Sequence, residues 1–525
     1  MRNHKNRSDD AKSNSDLSTD VSRRKALGFL AAMGVGVPGL VSCADSTLDV
    51  DDGASHDVPP AAIDMGMIIA RGAKNYESWR GQLSWHTYVS ERRPALFVRP
   101  ETTEQIVAAV KFAAANGLKI STKSGGHNYY ESWMREDSLV LDMYNFRHVE
   151  VDPEGKTAWV DPSVWSFNLL TALKPYELAF PVATCASVGM GGYVMGGGIG
   201  YGWQDWGLAC DNVLAAEVIT ASGDVILATP ESHSDLYWAA RGGVAGFPGV
   251  VRRWKLQCHD EPKKIRVTAK MFPASMMPDV IDASQAEADK QIPGLHIHVV
   301  VVPTMMAKAV FLPPDVAADL TIDDKYVCMA EMYVLADTET ELDRITDDRF
   351  TAPIFSEALA TSVHAGNNGL LSVYQELKGR EITVTNQICS AVWTPRMKES
   401  MDAIMSILEN SSADLAYAAM LLNGKNMHDE AGAYSMAGQG SGSLSVYGVW
   451  FSDNEGDVAR WADAISERLD PFAEGRYINE TDCFRRPDHV AKAYSAEKWV
   501  KLKQVNKTYD PAGLFHTFPG FEASS

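Results

Sequence analysis

Between Gly189 and Gly202 the chain places glycine at positions 189, 191, 192, 196, 197, 198, 200 and 202 and carries no charged residue. Glycine is disfavoured in helices and strands because it loses the most backbone freedom on folding and has no side chain to pack. A stretch this dense persists inside a globular domain for one of two reasons. Either backbone packs on backbone in a tight turn, or the backbone lies against a flat or phosphorylated ligand. The run follows Phe180-Pro181-Val182-Ala183-Thr184-Cys185-Ala186-Ser187-Val188, so a cysteine stands just ahead of its first glycine.

A shorter glycine loop lies upstream. Thr102 and Gln105 have the spacing of a capping box. The helix they open carries Ile106, Val107, Val110, Ala113 and Ala114 on one face and stops at Asn116-Gly117. An extended Leu118–Thr122 then leads into Lys123-Ser124-Gly125-Gly126-His127-Asn128. Two consecutive glycines at a strand end allow close backbone approach and expose successive N–H groups, a nest that suits a pyrophosphate. Read alone, the same pair is an ordinary turn.

Downstream, Leu139–Val160 is rich in strand formers, a short helix is expected around Phe167–Leu173, and strand, helix and strand recur through Val225–Leu256. This mixture indicates the α+β class. Beyond residue 263 the texture changes to separated strand candidates, His296–Val302, Tyr326–Val334, Gln387–Trp393 and Leu444–Phe451, which suggest a second domain built on an antiparallel sheet. The last helix, Ser495–Tyr509, sets Trp499, Leu502 and Val505 on one side and ends at Asp510-Pro511. A length of 525 residues, with 46% hydrophobic and 22% charged residues, suits two or three domains.

The first 44 residues read as an address. Ser22-Arg23-Arg24-Lys25 precedes an apolar run, Ala26–Ser42, that is too short and too rich in glycine for a membrane span. Paired arginines before a weak apolar run resemble a twin-arginine signal, so the export machinery is an expected partner and the protein is expected in the periplasm or cell envelope. Leu40-Val41-Ser42-Cys43 has the form of a lipobox, which would place a lipid anchor on Cys43; cleavage after Ala44 is the alternative. Residues 45–60 form an acidic tether. The formal charge of -20, without a basic stripe, disfavours nucleic acid and anionic membrane surfaces.

Taken together the motifs resemble a known family, the FAD-linked oxidases of the berberine-bridge-enzyme type, within the vanillyl-alcohol-oxidase and methylphenol-hydroxylase flavin fold. The likeness covers Pro94–Asp260 and Tyr477–Phe515 and includes Trp206-Gly207-Leu208-Ala209-Cys210-Asp211-Asn212-Val213 and Asp235-Leu236-Tyr237-Trp238-Ala239-Ala240-Arg241-Gly242-Gly243. It implies an FAD-binding domain over 61–262, an inserted substrate-binding domain over 263–452 and a C-terminal segment, 453–525, that completes the FAD domain. It also implies two covalent bonds to FAD, from His127 and from Cys185. Lys123, Ser124, Gly125, Gly126, Asn128, Val188, Gly189, Gly191, Gly192, Gly196, Gly197, Gly198 and Asn479 are the remaining cofactor contacts expected.

The expected chemistry is oxidation of a small alcohol, sugar or phenol by hydride transfer to flavin N5, with molecular oxygen reduced to hydrogen peroxide. A small Val188 after the cysteine is the family's mark of an open oxygen path. A dehydrogenase that passes electrons to a quinone or protein, and a flavin-bearing electron carrier without a substrate, are the alternatives. Where the family has Tyr-x-Asn-Tyr, this chain has Tyr477-Ile478-Asn479-Glu480, so Glu480 is the candidate base, with Tyr477 and Tyr447 as substitutes. Tyr417, Tyr447 and Trp393 are candidate wall residues. No cysteine pair has zinc-like spacing, so no metal is expected. With Cys43 processed and Cys185 on the cofactor, five cysteines remain and at least one is a free thiol.

Overall fold

The computed structural model describes residues 63–521 except 313–316, 319, 321, 348, 367–368, 378–385, 424–431, 435–441 and 452–453. The expected export signal, the lipobox candidate Cys43 and the expected tether over 45–60 lie outside the described residues.

The described residues begin with a four-stranded sheet of β1 (Met67–Ala70), β2 (Leu96–Arg99), β3 (Ile120–Lys123) and β4 (Leu139–Asp142), in the order β1-β2-β4-β3. β2 and β3 both run parallel to β4. Helix Thr103–Ala115 joins β2 to β3, burying Ile106, Ala109, Val110, Phe112 and Ala113. Half of its capping box forms as expected, the Thr102 hydroxyl accepting from the Gln105 N–H. The Gln105 side chain accepts from the Glu101 N–H instead of from Thr102.

β5 (Val149–Asp152) and β6 (Thr157–Val160) begin a second sheet, while β7 (Leu178–Ala179) pairs separately with β11 (His259–Asp260). β8 (Val213–Ile219), β9 (Val225–Ala228) and β10 (Val250–Gln257) complete the second sheet, ordered β5-β6-β10-β8-β9. The C-terminal segment returns to this body. Ile120 donates its N–H to the Leu514 carbonyl and accepts from the His516 N–H. Helix Ala496–Tyr509 puts Leu502 and Val505 into the core shared with Trp254 and Leu236. The Asp510 carboxylate accepts the Leu514 and Phe515 N–H groups at 2.8 and 2.7 Å, which explains the Asp-Pro stop. The first domain is thus made of two stretches separated in sequence.

Between them lies a seven-stranded antiparallel sheet: β12 (Lys264–Pro273), β13 (Leu295–Pro303), β14 (Tyr326–Ala336), β15 (Ala360–Gly366), β16 (Asn386–Thr394), β17 (Leu415–Leu422) and β18 (Gly442–Trp450), ordered β15-β12-β14-β13-β17-β18-β16. Residues opposite one another in antiparallel strands share a face. The pairs His296↔Tyr333, His298↔Glu331, His298↔Leu421, Tyr417↔Tyr447 and Cys389↔Tyr447 therefore lie on one face. Their neighbours Ile297, Val299, Val301, Met332, Met420, Leu444 and Val446 point the other way, into a core closed by helices Met277–Ala288, Met397–Glu409 and Glu455–Leu469. The histidine- and tyrosine-bearing face meets the first domain, with Tyr333 6.0 Å from Tyr201 and Tyr447 6.1 Å from Tyr129, ring to ring. No helix among the described residues is long and apolar enough to cross a membrane.

Candidate active site

The two glycine segments are packed on each other. A Cβ on Gly125 would stand 2.6 Å from the Gly189 nitrogen, and one on Gly189 2.7 Å from the Gly125 nitrogen. A Cβ on Gly191 would meet the Ser124 hydroxyl at 2.8 Å. Farther along, one on Gly196 would lie 1.9 Å from Asn479 Oδ1, and one on Gly198, at φ +83°, would lie 2.7 Å from the Ala209 Cβ. Gly197 also has positive φ, +103°. Most of the run is therefore glycine so that backbone and neighbouring side chains can touch.

Gly192 differs: it is exposed, and a Cβ there would meet nothing within 4 Å. Nearby, the N–H groups of Gly125, Gly126 and His127 donate to no acceptor among the described residues. Open space beside a glycine, with donors to spare in the adjoining loop, is a cradle that fits the diphosphate and flat ring of FAD. Of the expected cofactor contacts, the Lys123 ammonium and Asn128 Oδ1 are engaged inside the protein. The Lys123 ammonium lies 3.2 Å from the buried Asp142, which also holds Arg99 at 2.6 Å. Asn128 Oδ1 accepts from the N–H groups of Tyr130 and Ser132. Both brace the loop.

His127 Nε2 lies 2.8 Å from the Ser187 hydroxyl, joining the loop to the stretch that carries Cys185. Trp85 stacks on its ring at 4.4 Å and 27°. Burial, with His86 next, pulls its pKa down to about 3, so the imidazole is neutral over the working pH range. Cys185 is half-buried and forms no disulfide among the described residues. Tyr129 and Tyr417 are near enough to interact electrostatically with its sulfur. Val188 is half-buried, and its carbonyl accepts from the Ser166 N–H at 2.9 Å.

Glu480 ends a short 3-10 turn, Ile478–Glu480, and points at the sheet face. Its carboxylate accepts from the Ser445 hydroxyl at 2.6 Å, the Tyr447 hydroxyl at 3.1 Å and the Cys389 thiol at 3.5 Å. Desolvation raises its pKa against the lowering effect of those donors. The Cys389 thiol is pushed well up by burial and by Glu480 itself, so it stays protonated and donates. Tyr417 stacks on Tyr447 at 4.7 Å and 19°. A solvated acidic turn would have none of these partners.

Tyr477 and Trp393 stand elsewhere. The Tyr477 hydroxyl accepts from the Ile199 N–H at 3.3 Å and from Asn479 Nδ2 at 3.1 Å. Its ring packs edge-on against the fully buried Trp393. Tyr477, Trp393 and Asn479 thus tie the glycine run to the sheet and the C-terminal segment. Ser445, Cys389, Ser187, Trp85 and Tyr129 escaped the sequence reading. Only Ser443, Ser445 and Tyr447 left a trace there, as polar positions at period two in β18.

An FAD binding domain model matches residues 94–229, which hold both glycine segments. An FAD-linked oxidoreductase of Penicillium janthinellum is 34% identical over 199 residues, 38% of this chain and 44% of that protein. The (R)-6-hydroxynicotine oxidase of Paenarthrobacter nicotinovorans is 24% identical over 444 residues, 81% of this chain and 90% of that one. The chain spans about half the length of the first curated relatives it matches, 44% and 52%. Among solved structures, a berberine-bridge-enzyme-like protein of Physcomitrella patens shares the fold with a TM-score of 0.73 at 20% identity, covering 87% of this chain and 97% of that one.

Proposed function

We propose that this chain, which matches an FAD binding domain over residues 94–229 and shares its fold with a berberine-bridge-enzyme-like protein, is an oxidase of that type that acts on small alcohols, phenols or sugars and holds FAD covalently through His127 and Cys185. The observation that carries the reading is Glu480, a desolvated carboxylate fixed by Ser445, Tyr447 and Cys389 on the sheet face that meets the FAD domain. FAD, when bound, supplies the acceptor for the two electrons taken from a substrate C–H bond and their passage to molecular oxygen, giving hydrogen peroxide.

The protein's own part is to orient the substrate and move its proton. A raised pKa suits Glu480 to take the proton of a substrate hydroxyl, and its three donors keep the carboxylate aimed while it is charged. A neutral His127 offers a ring nitrogen lone pair for attachment, and the bond to Ser187 holds that ring beside the cysteine stretch. Attachment also suits an enzyme exported behind Ser22-Arg23-Arg24-Lys25 to the periplasm or cell envelope, where lost FAD is not replaced.

The test is a panel of alcohols, phenols and sugars mixed with the purified protein under nitrogen while flavin absorbance is followed. At least one class should bleach the flavin, and admitted air should restore the colour with one peroxide formed per flavin, more slowly in Val188→Leu. Bleaching without rapid recovery in air would favour a dehydrogenase. No bleaching by any member of the panel would favour an electron carrier.

A further inference from the structure

The sheet face that carries the partners of Glu480 continues into an open cleft, about 370 Å³ of empty space when counted out into solvent, lined by Thr184, Ile199, Tyr201, His298, Tyr333 and Leu421 among others. Thr184 adjoins Cys185, so the cleft opens beside the proposed flavin anchor. Its walls are mainly rings and aliphatic chains.

β13 brings two histidines to this face, and their surroundings differ. His296 is buried with Nε2 3.1 Å from the Asp205 carboxylate. His298 is half-buried, lines the cleft, and forms no hydrogen bond with another described residue. Its ring rests 4.7 Å from Tyr333, whose hydroxyl is directed to Glu331 at 3.2 Å. Burial and the neighbouring His296 pull the His298 pKa down to about 3. It is therefore a neutral imidazole with one donor and one acceptor nitrogen and no hydrogen-bond partner among the described residues. Such a group is satisfied best by an uncharged hydrogen-bonding ligand.

The register sets its distance from the reacting end. Ser445, the donor to Glu480, pairs with Ala419; Leu421, two residues on, pairs with His298. On a grid of 4.8 Å between strands and 3.4 Å per residue, Ser445 and His298 are roughly 12 Å apart. That is the length of a molecule with two or three rings. A sugar would present hydroxyls on every side, and these walls would leave many of them unpaired.

We propose that this cleft takes the apolar body of the substrate and that His298 hydrogen-bonds a neutral polar group at its far end, so the substrate class is an elongated aromatic or alicyclic alcohol or phenol and not a free sugar. This rests on Glu480 holding the reacting hydroxyl. The test is calorimetric titration of the holoenzyme under nitrogen with phenol, 4-hydroxybiphenyl, 4,4′-dihydroxybiphenyl and glucose. The second ring should tighten binding by roughly tenfold or more through buried apolar area. The far hydroxyl should add a further gain of about tenfold. His298→Leu should abolish the second gain and keep the first, and His298→Gln should restore part of it. Equal affinity for the two biphenyls in the parent, a far-hydroxyl gain that survives in His298→Leu, or glucose binding as tight as the biphenyls would overturn the proposal. Because binding is read without turnover, the biphenyl comparison also works in Glu480→Gln. A reduction rate unchanged in that variant would count against the base alone, whereas loss of the biphenyl difference in the parent counts against the cleft.

Discussion

At the scale of single residues, a carboxylate in the place of a phenol changes what its surroundings must supply. Glu480 stands where the related motif ends in tyrosine, and three donors converge on it from β16 and β18. Glu331 is the contrasting case, 5% exposed with one donor, Tyr333, and a pKa pushed up to about 7 by burial. A folded-state value above the ordinary carboxyl range means that stability present at low pH is lost as pH rises through 7, by on the order of 3 kcal/mol at full ionisation. Melting temperatures taken at pH 5 and pH 8 should therefore fall in the parent and stay level in Glu331→Gln. An equal fall in both would remove Glu331 from the pH response. For the anchors, acid-precipitated protein should remain yellow, and so should His127→Ala and Cys185→Ala taken singly, while the double variant releases FAD. Free FAD in the acid supernatant of the unaltered protein would contradict covalent attachment.

At the scale of elements, the glycine run contains positions of two kinds that look alike in sequence. Gly192→Ala places a methyl group in open space within helix Met190–Met195, so the apoprotein should melt at the same temperature or slightly higher, by the roughly 0.4–1 kcal/mol that such a replacement contributes. Its flavin content on expression should fall sharply. Gly196→Ala drives a methyl group into Asn479 and should cost about 1–3 kcal/mol with or without flavin. Equal flavin loading in Gly192→Ala and the parent would mean that the cradle lies elsewhere. The sequence could not sort these positions because their partners, Asn479, Ala209 and Gly125, are distant in the chain. Helix Thr103–Ala115 and helix Ala496–Tyr509 were legible from caps and apolar spacing. β17 was not, since Leu-Ala-Tyr-Ala-Ala-Met-Leu-Leu lacks the alternation that marks a strand.

At the scale of the whole molecule, the candidate site is assembled from the loop at 123–128, the stretch at 184–192, one face of a seven-stranded sheet and the turn at 478–480. The family resemblance carried by the motifs and their order implied FAD and the flavin-binding half, because glycine and cysteine positions are read directly from the chain. The opposing wall was hidden, since which histidine or tyrosine faces the site depends on strand register, and a shift of one residue would bury the other set. Glu480 is the point where the two halves meet. The most direct test of the account is anaerobic stopped-flow reduction of the flavin by the best substrate of the panel, over a pH series, in the parent and in Glu480→Gln. In the parent the rate should rise with pH as the raised Glu480 carboxyl loses its proton. In Glu480→Gln it should be slower by roughly a hundredfold or more and lack that acidic limb. A Glu480→Gln rate within a fewfold of the parent, with the same pH profile, would contradict the assignment of Glu480 as the base.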